Sequence, residues 1–343
     1  MPHALFRVDG GPEIGIGHVM RCRALQAAFV SLGWSCWTAM TTSSAELFGD
    51  SQTITVAAGT AGALEVAKAI EQTRIDCLVV DHYALDVEFE QAAHSPGTTV
   101  VVIDDLADRR HDCDLLLDTG PEREASDYAQ LTKPTVQFLL GPRYALLRPE
   151  FAGLHNRSLT PPPIGRRLLI TLGGADPDNV SERVLDALSQ VHGMIDAVLA
   201  IGPANPSRER LMARAYAAGL EVVADAPNLV ALMAEADMAV AAGGTTCWEL
   251  ACLGVPTLLI IIAKNQRAVA RAMQNVGAAM IIGDSTEFDR DKVAASIGQL
   301  ANDRTRRAQM SAAGRGLIDG LGASRVAHAV AAVVAARQME MHS

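Results

Sequence analysis

Aromatic residues are scarce: Phe, Trp and Tyr make up only 4% of the 343 residues. Stacking platforms for single-stranded nucleic acid or exposed sugar chains need more rings than that. Positive charge is also in deficit, with 29 Lys and Arg against 39 Asp and Glu and a formal net charge of −10. Phosphate neutralisation needs a basic face, so neither nucleic acid nor an anionic membrane surface is an expected partner; a local basic pocket stays open. Six cysteines (Cys22, Cys36, Cys77, Cys113, Cys247, Cys252) include no CxxC pair, and several lie in apolar runs. They read as small reduced hydrophobes, not as zinc ligands or disulfide partners. No run reaches the roughly 18 apolar residues of a membrane span. The best, 255–263, is short and holds Pro256. The N-terminal MPHALFRVDGG has no apolar signal core, so a cytoplasmic protein is expected.

What is present is a globular composition, 49% apolar and 20% charged, which excludes disorder as the main theme. The length predicts two domains. Short β-branched runs alternate with helical stretches: ALFRVD (4–9), an amphipathic segment over 18–32, CWTAM (36–40), TITVA (53–57), CLVVDH (77–82), TTVVVIDD (98–105) and CDLLLD (113–118). Continuous apolar runs of this kind suit parallel strands buried on both faces, so residues 1–150 read as a doubly wound α/β domain. Residues 151–165, with Pro161 to Pro163, read as a linker after a turn of helix at Glu150. The pattern restarts with RLLITLGG (167–174), DAVLAIG (196–202), LEVVAD (220–225), MAVAAGG (238–244) and PTLLIII (256–262), predicting a second α/β domain over 166–323. A last helix and tail, 324–343, should start at Ser324 as N-cap and pack a stripe of Val326, Val330, Val333 and Val334. Two such domains face a cleft, and ligands of open parallel sheets bind beyond the strand carboxyl ends.

Asp9-Gly-Gly-Pro-Glu-Ile-Gly15-Ile-Gly17-His18 forms a glycine-rich turn between the first strand and first helix. It lacks the GK[ST] of a Walker loop, and Met20 stands where a dinucleotide motif has its third glycine. A tight turn and an anion-binding helix start are both open readings. His18 tips the balance, because it opens the helix toward the cleft, where a positive helix end favours the neutral imidazole a general base needs. Asp81-His82-Tyr83 ends the fourth strand, with Asp86 following. A role toward substrate and a bland one, Asp86 capping a helix and His82 at the surface, stand about level. Asp104 and Asp105 point to opposite faces, so a turn role suits them better than metal chelation. In the second half, Gly173-Gly174 and Gly243-Gly244-Thr245-Thr246 each precede a helix, a device for a diphosphate, and Glu249 lies where a carboxylate reaches a ribose diol. Asn265 and Gln266 offer amides for sugar hydroxyl and acetamido groups, or a cap.

The blocks FRVDGGPEIGIGHVMRC, VVDHYALD, IDDLADRRHDCDLLLD, LLGPRYALLRPEF, LITLGGADPDN and AAGGTTCWELACLGVPTL–KNQ, in order over about 4–335, resemble the UDP-2,4-diacetamido-2,4,6-trideoxy-β-L-altropyranose hydrolases of pseudaminic acid biosynthesis. That family is similar in fold to the GT-B glycosyltransferases, notably the N-acetylglucosaminyltransferase that completes lipid II. The resemblance implies two Rossmann-like domains, with UDP on the second: Gly173, Gly174, Gly243, Gly244, Thr245 and Thr246 near the diphosphate and Glu249 on the ribose. It places the sugar near Gly15, Gly17, Arg21, Tyr83, Asn265 and Gln266. His18 matches the family's catalytic histidine, and water displaces UDP with inversion. No metal, cofactor or obligatory protein partner is implied. Gly10-Gly11 and Gly320-Leu321-Gly322 depart from the family pattern, the first beside the active loop, which leaves the sugar less secure than the reaction type. A GT-B glycosyltransferase, a hydrolase of a stereoisomeric UDP-diamino sugar and a UDP-binding regulator are the competing expectations.

Overall fold

The computed structural model describes residues 1–341 except 12–13, 158–159, 175, 177, 192, 203–204 and 225–228. It divides into two compact units: Met1–Pro149 with Leu321–Ser343, and Glu150–Gly320.

The first unit holds β1 (His3–Val8), β2 (Ser35–Met40), β3 (Thr53–Thr55), β4 (Cys77–Asp81), β5 (Thr99–Ile103), β6 (Leu115–Asp118) and β7 (Gln137–Leu140). They form one parallel sheet in the order β3-β2-β1-β4-β5-β6-β7. Helices α1 (Gly17–Ser31), α2 (Thr42–Phe48), α3 (Ala63–Thr73) and α4 (Val87–Ala93) connect them. One face buries Phe6, Val8, Val79, Ile103 and Leu117 under Val19, Cys22, Leu25 and Phe29 of α1. The other buries Leu5, Leu78, Val80 and Val102 under α3 and α4. Strand order reverses between β1 and β4, where Val8 pairs with Asp81. That switch point is where open α/β sheets place ligands.

The second unit runs α5 (Pro149–His155), β8 (Arg167–Thr171), α6 (Val180–Leu188), β9 (Asp196–Ile201), α7 (Arg208–Ala217), β10 (Glu221–Ala224), α8 (Leu229–Glu235), β11 (Met238–Ala242), α9 (Thr246–Leu253), β12 (Thr257–Ile261), α10 (Gln266–Asn275), β13 (Ala279–Asp284), α11 (Arg290–Asn302) and α12 (Arg304–Leu317). Its parallel sheet has the order β10-β9-β8-β11-β12-β13 and its own core, with Leu168, Leu199, Val240 and Leu258 at 0% exposure. The switch point here lies between β8 and β11.

The last helix, α13 (Gly322–Met341), belongs to the first unit. Val326, Val330 and Val334 join the core of that sheet face, α13 lying against α1 and β5, with Val333 packed at its margin. It is thus not a separate tail, and Ser324 is not its N-cap: the helix begins two residues earlier, and the Ser324 hydroxyl faces His328 inside the first turn. Arg304–Glu340 is long and apolar enough by composition to cross a membrane. No unbroken apolar run marks it in the sequence, because alanines raise the mean hydropathy between scattered arginines. Here α13 spends its valine face on the core. Strands β7 and β13 were also not expected. Both are sheet edges, and neither has the unbroken buried run of the central strands. The linker expected from 151 begins instead with α5, which packs Phe151 against α9 through Cys252. Ser158 and Leu159 of that linker, Ala175 of the Gly173 turn, Asp225 of the LEVVAD strand and Pro12-Glu13 of the glycine loop lie outside the described residues.

Candidate functional site

In the first unit the loop after β1 closes on itself: Gly11 and Gly15 exchange backbone hydrogen bonds of 3.1 and 2.7 Å. Gly15 has φ +84°, which a side chain would strain. A Cβ on Gly10 would sit 2.7 Å from Val19 Cγ2, so the departure at this position answers a close approach of β1 to α1. Behind the loop, the helical repeat sets His18, Cys22, Leu25 and Phe29 on the buried face of α1. Arg21, three residues after His18, shares that side.

Beneath them Cys77, Val79 and Asp81 form one row of β4, since alternate strand residues share a face. The third position of the row is a carboxylate at 0% exposure. A charge buried there needs partners. Arg21 supplies two bonds, Nε to Oδ2 at 2.7 Å and Nη2 to Oδ1 at 2.5 Å, and the Cys22 thiol approaches Oδ2 at 3.5 Å. His18 Nδ1 lies 2.6 Å from Oδ1. Burial alone would raise the Asp81 pKa, but Arg21 and then His18 outweigh it and hold the carboxyl well below the usual range. Arg21 also reaches Asp105 Oδ2 at 3.0 Å through Nη1, and the Tyr83 hydroxyl donates to the same oxygen at 3.2 Å. The Tyr83 ring stands edge-on to His18, with centroids 4.6 Å apart.

A 2.6 Å contact between a carboxylate oxygen and Nδ1 requires the proton on that nitrogen. The nearby Arg21 Nη2, 3.0 Å from Nδ1, is then a close neighbour and not a donor to it. The ring's other nitrogen, Nε2, is left to carry the lone pair, and no described residue hydrogen-bonds it. His82, on the opposite face of the sheet, is arranged otherwise. Its Nδ1 accepts from the Ala84 amide at 3.0 Å and its Nε2 faces Asp9 Oδ2 at 3.5 Å. Burial lowers its pKa, and the Arg7 charge adds to that. Both nitrogens are engaged, so His82 is neither a surface residue nor a free base. Asp86 caps α4 by accepting from the Glu88 amide, and Asp104 accepts the amides of Leu106 and Ala107 in a turn.

Arg21, expected near the sugar, lies mostly behind His18. Its side chain is 10% exposed and its guanidinium is committed to Asp81 and Asp105. Asp81 as the partner of His18, and Asp105 behind it, were missed. The signal was present in the VVD ending of a strand read as buried.

In the second unit the two glycine turns behave differently. At the end of β8, Gly173 has φ +87°. A Cβ on Gly202, at the end of β9, would lie 2.4 Å from Gly174 Cα, so Gly202 is a third member of this turn that sequence reading did not single out. The amino end of α6 is already filled: Asp176, 2% exposed, accepts the amides of Val180 and Ser181 at 2.8 and 2.9 Å. Asp176 thus stands at the helix end where a diphosphate was expected. The turn after β11 is built differently. Thr245 caps α9 without a side-chain hydrogen bond, and a Cβ on Gly244 would meet open space. The first amides of a helix have no partner of its own. Thr246 is half-buried there, Thr245 exposed and Glu249 half-buried within the first turn. Gly243 is held close by Gln266, whose Oε1 accepts from the amides of Gly243 at 3.2 Å and Ile262 at 3.1 Å. Gln266 thus braces the β11 and β12 turns with its carbonyl oxygen, leaving its amide hydrogens for other partners. Asn265 is exposed and makes no cap bond. Among the described residues, no three His, Cys, Asp or Glu side chains converge as a metal-binding group.

Both units thus carry their polar clusters at a Rossmann switch point, and likeness to known proteins agrees. The chain superimposes on Acinetobacter baumannii MurG with a TM-score of 0.68 at 16% identity, covering 96% of this chain and 99% of that one. The fold is GT-B. Residues 167–326 match the glycosyltransferase family 28 C-terminal domain. The chain resembles the UDP-2,4-diacetamido-2,4,6-trideoxy-β-L-altropyranose hydrolase of Campylobacter jejuni, at 24% identity over 80% of this chain and 96% of that protein. It also resembles the spore coat polysaccharide biosynthesis protein SpsG of Bacillus subtilis, at 29% identity over 54% of this chain. The match spans 56% of SpsG.

Proposed function

We propose that the protein acts on a UDP-sugar and hydrolyses it, water displacing UDP at the anomeric carbon with inversion. The observation that carries this reading is the pairing of His18 Nδ1 with buried Asp81, which leaves Nε2 as the basic nitrogen behind a glycine loop at the β1–β4 switch point. In the reaction His18 Nε2 takes a proton from water as its oxygen attacks the anomeric carbon. The C–O bond breaks and its electron pair leaves on UDP. The imidazolium so formed faces Asp81, whose charge stabilises it. The glycine turn and open amino end of α9 suit the diphosphate, and Glu249 the ribose diol. Likeness to the Campylobacter jejuni hydrolase favours UDP-2,4-diacetamido-2,4,6-trideoxy-β-L-altropyranose as the substrate and pseudaminic acid synthesis as the setting.

The test is incubation of UDP-activated 6-deoxy diamino sugars in water with no acceptor, following UDP release and the anomer formed by NMR. Stoichiometric UDP and inverted free sugar support hydrolysis. Turnover that appears only with an added acceptor makes the protein a glycosyltransferase, the reading that likeness to MurG supports through the fold alone. General-base catalysis contributes about 10²–10⁴-fold, so His18→Ala should lose at least that much kcat and still bind UDP. A folded, UDP-binding His18→Ala protein with near wild-type turnover overturns the role.

A further inference from the structure

We propose that Asp81, clamped by Arg21, is a positioning residue that dictates which nitrogen of His18 does the chemistry; this rests on the hydrolytic reading above. A solvated imidazole exchanges its proton between Nδ1 and Nε2, and a base must present the bare nitrogen to the water it activates. His18 is 6% exposed and its Nδ1 sits 2.6 Å from Asp81 Oδ1, which selects the tautomer with the proton on Nδ1. The contact also fixes the ring plane, with the Tyr83 edge-on contact as a second restraint.

A carboxylate with no exposure performs this task only while it stays ionised, because a protonated one would offer a hydrogen to Nδ1 and invite the opposite tautomer. Arg21 prevents that. Its fork meets both Asp81 oxygens, at 2.7 and 2.5 Å, in the bidentate geometry that a lysine cannot reproduce. Its third contact, Nη1 to Asp105 at 3.0 Å, anchors the guanidinium from the other side. With His18 neutral, the cluster holds Arg21 against two carboxylates. The proton taken from water brings it to balance, so the cluster is set to receive one positive charge. Arg21 acts through Asp81, and Asp81 through His18; neither is assigned a contact with substrate.

The experiment uses the full-length protein with Asp81→Asn and Arg21→Lys. An asparagine keeps the shape but can turn its NH2 toward Nδ1, which favours the proton on Nε2. Nitrogen-15 NMR of ring-labelled histidine in the unliganded protein should show His18 as the Nδ1–H form in wild type, assigned by comparison with His18→Gln, and as the Nε2–H form in Asp81→Asn. Turnover by Asp81→Asn should fall by about 10²–10⁴-fold, in kcat more than in KM, with UDP binding unchanged. Arg21→Lys keeps the charge without the fork. It should lose part of kcat and show a mixture of tautomers, which gives a readout should Asp81→Asn fail to fold. A wild-type His18 carrying its proton on Nε2 overturns the proposal whatever the activity. So does an Asp81→Asn protein with wild-type kcat beside an inactive His18→Ala. Turnover that needs an added acceptor sinks the hydrolytic reading itself, and near wild-type turnover by His18→Ala sinks His18 as its base, so these failures are distinguishable from a failure of Asp81.

Discussion

A histidine is defined by what each of its nitrogens faces, and three in the first unit resolve differently. His18 has one nitrogen on a carboxylate and one for chemistry. His82 has both engaged. His111, 3% exposed, lies between two carboxylates, Nδ1 at 2.7 Å from Glu90 and Nε2 at 3.8 Å from Asp104. Burial would depress its pKa, but the two carboxylates, Asp104 and Glu90, outweigh that and raise it to about 9. The folded state holds this proton more tightly than the unfolded chain does, so the stabilisation lasts as long as the imidazolium keeps it. The contribution is therefore fully present below about pH 6.5 and is lost as pH rises through about 9, on the order of 3 kcal/mol in all. Denaturant midpoints should fall between pH 7 and 9.5 in wild type, and His111→Gln should be weaker at pH 6 and nearly flat over that range. A wild-type profile as flat as the variant's would contradict the ion-pair account. At the proposed ribose site, Glu249→Ala should weaken UDP binding by about 1.5–3 kcal/mol, the range for a charged hydrogen bond. Because the ribose is remote from the breaking bond, that loss should appear chiefly in KM. Calorimetry finding unchanged affinity in the folded variant would remove Glu249 from the site.

At the scale of the element, helices in the second unit end on arginines. Arg157 donates to the Ala234 carbonyl at the end of α8 and to the Leu253 carbonyl at the end of α9. Arg307, at 0% exposure, donates to Leu300 at 2.8 Å and Ala301 at 2.5 Å in the last turn of α11, and to Pro162 in the proline segment. A cation at a helix carboxyl end meets both the unpaired carbonyls and the dipole. A Cβ on Gly165 would lie 2.9 Å from Arg307 Nε, so the chain passes this point only as glycine. Arg307→Met keeps the apolar stem and removes the donors. It should cost about 1.5–3 kcal/mol in chemical denaturation, and a loss under 0.5 kcal/mol would show that water replaces the arginine. None of this was legible in the sequence, because which carbonyls an arginine meets depends on how the helices pack. The central strands were legible, because β4, β5, β11 and β12 are buried throughout and their apolar runs say so. The glycine turns and His18 could be placed from their positions after strands. Asp81 and Gly202 could not be assigned their partners, because those depend on which strands lie side by side. Pairing of β1 with β4 and of β8 with β9 is a fact of topology, not of local pattern.

At the scale of the whole molecule, the chain builds one doubly wound unit, then a second, and returns through α13 to finish the first. The second unit is continuous in sequence, and its core from Leu168 to Met310 draws on no residue outside Glu150–Gly320. The first unit is different: Ala323, Val326, Ala327 and Val330 of α13 are buried in its core, so a chain cut before 322 leaves that core open. Folding autonomy should therefore be unequal. A fragment of residues 150–320 should fold alone, and if UDP is held by the α9 turn and Glu249 it should bind UDP about as tightly as the full chain. The proposed site relies on backbone amides and one carboxylate for the ribose, and among the described residues no cluster of acids stands to hold Mg²⁺ against the diphosphate. Binding by the fragment, and turnover by the full chain, should thus be unchanged by chelator. Calorimetry of UDP into the fragment and into the full chain, with and without EDTA, checks the binding, and a turnover assay of the full chain with EDTA checks the rest. A folded fragment that fails to bind UDP would show that residues of the first unit complete the nucleotide site. Binding restored only by added Mg²⁺ would replace the amide-based account with a metal-bridged one.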